Sequence, residues 1–171
     1  MDQHRTLQGS GFPDDTGEPD TALAAALETY AATPAAERGP AYLRCLAALT
    51  TARVLVPVVA VLGEVEVDEH GLARDKSSDM AAVLLTGRDG RRALLAFSGT
   101  ATIASWDPQA RPVPVTARTA AQAAVQEDAA ALLLDVAGPA RLVVEGDHLT
   151  ALAAGWDLVQ VGDDLGWVRP G

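Results

Sequence analysis

Residues 80–97 constrain the fold more than any other stretch. Met80 to Leu85 is apolar, Gly87-Arg88-Asp89-Gly90 interrupts it, and Arg91 to Phe97 resumes with Ala93-Leu94-Leu95-Ala96-Phe97. Two apolar runs about an Asp-Gly turn specify a β-hairpin, because aspartate and glycine tolerate the positive φ that tight strand connections need. Ser98-Gly99-Thr100 then turns into a short helix over Thr100 to Trp106, which Asp107-Pro108 stops. Pro112-Val113-Pro114-Val115 must be extended, since proline biases its predecessor toward β or polyproline geometry.

The flanks supply alternating helices and strands. Asp20 can cap a helix from Thr21, with Leu23, Leu27 and Tyr30 on one face. A second helix from Pro40 carries Tyr42, Leu46 and Leu49 as its stripe. Val54 to Val61 is a β-branched strand, and Pro57 within it argues for an edge or a bulge, because proline donates no ladder bond. Thr119 to Asp128 reads as a helix, Ala130 to Val136 and Leu142 to Val144 as strands, and Asp147 to Ala154 as a helix ended by Gly155. Leu158 to Val161 is a last strand, and GDDLGWVRPG has turn chemistry.

The expected fold is α+β: one domain over residues 20–171, with a mixed, mostly antiparallel sheet of about five to six strands covered by helices. The helix between Val113 and Leu132 is a crossover that would make those two strands parallel neighbours. Residues 1–19, rich in Gly, Asp, Pro and Ser without apolar period, read as a disordered acidic tail.

Composition narrows the function classes. The net charge of −10 disfavours phosphate backbones, and aromatic residues make up only 4% of the chain, too few for base stacking, so no nucleic-acid partner is expected. The N-terminal stretch is polar, and no apolar run approaches the roughly 20 residues of a membrane span. The expectation is a cytoplasmic protein without a membrane partner. The single cysteine, Cys45, lies in an apolar helical stretch and reads as a small buried hydrophobe.

No residue set carries a recognisable reaction. Lys76 beside Ser77 could activate a nucleophile only as a neutral amine, and Asp75 and Asp79 favour its charged form. Ser98, Gly99 and Thr100 sit between strand and helix, where an anion could bind, but the sequence lacks G-x-S-x-G and every phosphate-loop pattern. His4, His70 and His148 are isolated, and Glu64, Glu66, Asp68 and Glu69 lack the ligand ladder of a calcium loop. No catalytic residue, metal or cofactor is expected. Trp106, Arg111 and Pro112 form the candidate interaction surface, since tryptophan and arginine are enriched at interface hot spots and arginine stacks on indole. The alternative for Trp106 is a core position that closes the sheet.

The order of these pieces resembles a known family. A helix leads into Leu55-Val56-Pro57-Val58, then the Asp-Gly hairpin, then Ala96-Phe97-Ser98-Gly99-Thr100, a helix with Trp106, and Arg111-Pro112-Val113-Pro114-Val115. An alanine-rich helix and the turn Ala137-Gly138-Pro139 complete it. This resembles the N-terminal domain of the SseB family, named for enhanced serine sensitivity, over residues 40–155. The resemblance implies a mixed α/β domain in cytoplasmic bacterial proteins and no established reaction. The expected function is therefore a non-catalytic interaction or regulatory module. The alternatives are a small-molecule or anion-binding sensor or cryptic enzyme using Ser98–Thr100, and a structural homodimer paired along the Pro57 edge.

Overall fold

The computed structural model describes residues 11–61 and 79–171. Two helices lead the chain, α1 (Thr21–Ala32) and α2 (Gly39–Leu49), with a single 3-10 turn between them. Asp20 caps α1 as expected, accepting the Leu23 N–H at 3.0 Å. Strands β1 (Arg53–Val61), β2 (Asp79–Ala82), β3 (Leu84–Thr86) and β4 (Arg92–Ala96) follow. Then come α3 (Thr100–Trp106), β5 (Arg111–Thr116), α4 (Ala117–Gln126), β6 (Ala131–Leu134) and β7 (Leu142–Glu145). The chain closes with α5 (Gly146–Ala154), β8 (Asp157–Val161) and β9 (Asp164–Val168).

The architecture is α+β, with one three-stranded sheet (β2-β1-β5), one four-stranded sheet (β3-β4-β6-β7) and a hairpin (β8-β9). The first two are joined where Leu55 and Phe97 exchange both backbone bonds at 2.8 Å. All pairings are antiparallel except β4–β6. The parallel pair therefore exists, but its members differ from expectation. The strand after α3, β5, lies on the far side of β1, and β6 joins β4 instead.

Proline placement explains that arrangement. Leu55 turns its N–H and C=O toward Phe97, so Pro114, opposite Leu55, and Pro112, opposite Pro57, sit in non-hydrogen-bonded pairs. Their missing N–H groups would face outward along β5, which is the free edge. Pro57 corrects the expectation of an edge position. It is buried in the central strand of its sheet. Its absent donor falls where the partner of β1 changes from Phe97 to β2, and there its carbonyl accepts the Val83 N–H at 3.2 Å. A homodimer paired along a Pro57 edge has no edge to use.

Strand alternation builds two cores. Val54, Val56, Leu94, Ala96, Leu132 and Leu134 face one side, where α1, α2 and α5 supply Leu23, Leu46, Leu49, Leu149 and Leu152, and α4 supplies alanines. Ala117, Ala120, Ala121 and Ala124 are the buried residues of α4, and such small side chains let it approach both the sheet and α5 closely. Cys45 is fully buried in this core, and burial pushes its thiol up to about 11. Leu55, Leu95, Phe97 and Leu133 face the other side, where Ile103 of α3 completes a smaller core.

Two further expectations are corrected. Residues 11–19 are not a structureless tail: Gly17 is buried, its N–H donates to Asp15 Oδ1 at 2.6 Å, and its carbonyl accepts the Thr100 N–H at 2.8 Å. Polar anchors, invisible to a search for apolar period, hold this strap. Asp164–Val168 is a strand rather than a turn, because Leu165 and Trp167 pack toward the main core.

Candidate functional site

The carboxyl ends of the parallel strands β4 and β6 converge on a buried polar pair. Asp135, one residue past β6, accepts the Ser98 N–H at 2.8 Å through Oδ1 and the Ser98 hydroxyl at 2.7 Å through Oδ2. Both are nearly inaccessible, Ser98 at 4% and Asp135 at 3%. Asp135 has φ of 52°, a left-handed conformation that aspartate tolerates better than most residues. Its N–H donates to the Ala96 carbonyl and its carbonyl accepts the Gly138 N–H. The Ser98 hydroxyl is thus committed to a carboxylate, with no imidazole beside it among the described residues.

Arg53, at the start of β1, reads this turn from the other side. Its Nη1 donates to the Ser98 carbonyl at 3.1 Å, and its Nη2 donates to the Glu18 carbonyl. Its Nε lies 2.7 Å from Asp15 Oδ2, in a charge contact that is not aligned as a hydrogen bond. The strap thereby covers the Ser98-Gly99-Thr100 turn. The Thr100 N–H and hydroxyl both go to the Gly17 carbonyl, and a Cβ on Gly99 would lie 2.9 Å from the Pro19 ring. The donors proposed for an external anion are engaged by the chain itself. A depression of about 430 Å³ lies over the strap, lined by Phe12, Asp15, Thr16 and Arg53 among others.

Trp106 is half-buried, its ring 5.5 Å from that of Phe97 at a 34° tilt. It closes the smaller core. The cation–ring contacts among the described residues are Arg38 on Tyr30 and Arg169 on Trp156, so Arg111 does not cover the Trp106 ring. Arg111 and Pro112 are both exposed on β5. Alternation places Pro112 on the Trp106 face of the sheet and Arg111 on the other.

Among the described residues, the Trp106 face is incompletely covered. Among the described residues, α3, seven residues long, is the one helix packed there, against four helices on the opposite side. Val59, next but one after Pro57, is 52% exposed, and Leu85, opposite Ala93, is 43% exposed. Val143, opposite Leu133, is exposed on the same face. Sequence reasoning missed these three residues, because local alternation tells which residues share a face but not which face lacks a cover. Lys76, Ser77, the acidic residues 64–69, His4 and His70 lie outside the described residues.

A family model, the SseB protein N-terminal domain, matches residues 23–151. The chain belongs to the SseB family. No curated protein matches the chain, and no solved structure does. The SseB match takes in α1, which the motif resemblance did not, and ends within α5. The strap and the β8–β9 hairpin lie outside it. Among the described residues, no helix of this SseB protein is long and apolar enough to cross a membrane.

The hairpin is tied to the SseB domain by an aromatic cluster. Trp167 Nε1 donates to His148 Nδ1 at 2.9 Å, and His148 meets the Tyr42 ring edge-on at 5.7 Å. His148 is therefore a packing residue that holds β9, a role its isolated place in the sequence concealed. The Tyr42 hydroxyl donates to the Val143 carbonyl at 2.8 Å. Burial, reinforced by the Glu145 charge, pushes the Tyr42 phenol up to about 12 from 10. A phenol held protonated when folded but free to ionise when unfolded favours unfolding as pH rises through that interval. Stability is expected to fall between pH 10 and 12, and Tyr42→Phe should flatten the fall in urea titrations. An unchanged slope in the variant would remove Tyr42 as the cause.

Proposed function

We propose that this SseB protein is a non-catalytic binding module whose partner surface is the sheet face beside α3. The observation that carries this reading is the exposure of Val59 and Leu85, two large apolar side chains about half exposed on the face where α3 is the one helix packed among the described residues. Val143 and Pro112 are exposed on the same face, and Trp106 is half-buried there. Large apolar side chains left exposed on one face of a sheet are a feature of interaction sites. The partner is a protein that presents its own apolar side chains. The whole-chain charge of −10 makes a basic rim on that partner favourable.

Several features support a binding role over a chemical one. Ser98 is buried against Asp135, and Cys45 is a buried, protonated thiol. Trp106 lies on this face against the Phe97 ring, while Arg111 is exposed on the opposite face of β5. The test replaces Val59 and Leu85 together with glutamate in the full chain. Partner yield is then read after chemical crosslinking in the producing cell, beside the thermal melt of the purified variant.

A further inference from the structure

The strap forms a second polar site, independent of the apolar face. Arg53 is held from one side by the Ser98 carbonyl, which the Ser98–Asp135 pair fixes in place. That contact uses Nη1 and leaves the Nε–Nη2 edge of the guanidinium facing the strap. This edge is a fork that matches the two oxygens of one carboxylate. The strap fills it with two unlike acceptors: a single oxygen of Asp15 in an unaligned charge contact, and the backbone carbonyl of Glu18. The Gly17 carbonyl, between them in sequence, takes the adjacent Thr100 N–H and hydroxyl.

We propose that residues 15–18 are a built-in substitute for an external carboxylate, and that Arg53 is the centre of a carboxylate-binding site that the strap closes. Three observations converge on this. The Arg53 side chain is largely buried, at 13% exposure, yet borders an open depression of about 430 Å³. No residue from 11 to 19 joins either apolar core, so polar contacts that a competing carboxylate can replace are what hold the strap on this turn. The strap also lies outside the matched SseB domain, as an appended segment laid over a turn that belongs to it. The chain's negative charge gives an acidic ligand no long-range attraction, so recognition is set locally by the fork.

A tethered substitute competes at high effective concentration, and weakening it raises the apparent affinity for the external ligand. Two variants weaken it by different means. Asp15→Asn removes the charge contact. Gly17→Ala acts sterically, because Gly17 has φ of 78° and its Cβ would fall 2.5 Å from Thr100 Cγ2.

The experiment titrates full-length wild-type protein and both variants with an acetylated, amidated hexaglutamate peptide and, separately, with glutarate, by calorimetry near 150 mM salt. The expected result is at least tenfold tighter binding of one probe by either folded variant than by wild type. Adding Arg53→Lys, which keeps the charge but loses the fork, should abolish that gain. A gain for the peptide alone assigns the site to acidic peptides, and a gain for both probes assigns it to the carboxylate group itself. Folded variants that bind neither probe more tightly than wild type would overturn the proposal, as would a gain that survives Arg53→Lys. Neither result bears on the Val59–Leu85 face, which these variants leave intact.

Discussion

Replacing Phe97 with alanine is expected to lower the unfolding free energy by about 3–5 kcal/mol, the range for emptying a fully buried aromatic site. Phe97 is completely inaccessible and sits among Leu55, Leu95, Ile103 and Leu133. Its backbone joins the two main sheets through Leu55, and its ring supports Trp106. The smaller core has few other large members, so nearby side chains have little means of closing the cavity. Urea denaturation of the variant measures the loss directly. Against a typical domain stability of about 5–15 kcal/mol, this could consume most of the margin. A loss below about 1 kcal/mol would show that the Trp106 face is not organised around Phe97.

Asp135→Ala should cost about 3 kcal/mol, since hydrogen bonds to a charged group contribute roughly 1.5–3 kcal/mol and buried donors left unpaired add their desolvation penalty. Alanine strands both the Ser98 N–H and the Ser98 hydroxyl in a site without solvent. It also places a residue poorly suited to φ of 52° at position 135. Asp135→Asn separates these causes: asparagine accepts the left-handed conformation and keeps one acceptor oxygen, so its cost should be roughly half. Equal costs for the two variants would mean that the carboxylate charge, rather than backbone conformation, dominates. Thermal and urea melts of both proteins supply the comparison.

Local chemistry made much of the fold readable before the structure. The Asp-Gly hairpin, the Asp20 cap and the Gly155 terminus each depend on residues a few positions apart, and each is present. Pro57 misled because the rule that excludes proline from central strands presumes continuous pairing on both sides. Here β1 changes partner at the point where the donor is missing. The parallel pair was assigned to the wrong strands because a crossover helix sets handedness and length but not which neighbour a strand joins.

The candidate sites were less legible for a related reason. Ser98 and Asp135 lie 37 residues apart, and only the β4–β6 pairing brings them together. The strap was hidden because its anchors, Asp15 and Gly17, are the residue types that also signal disorder. Trp106 is of a type enriched at hot spots, yet the large apolar residues exposed on its face, Val59 and Leu85, are ordinary strand residues. Among the described residues, their exposure follows from how little of that face α3 covers.

If the face beside α3 binds a partner protein, glutamates at both Val59 and Leu85 should break that contact. The control is Val125→Glu, an equally exposed apolar position on α4. The double variant is expected to melt within a few degrees of wild type while its crosslinked partner yield falls at least tenfold, and Val125→Glu is expected to retain the partner. Undiminished yield from the folded double variant would contradict it.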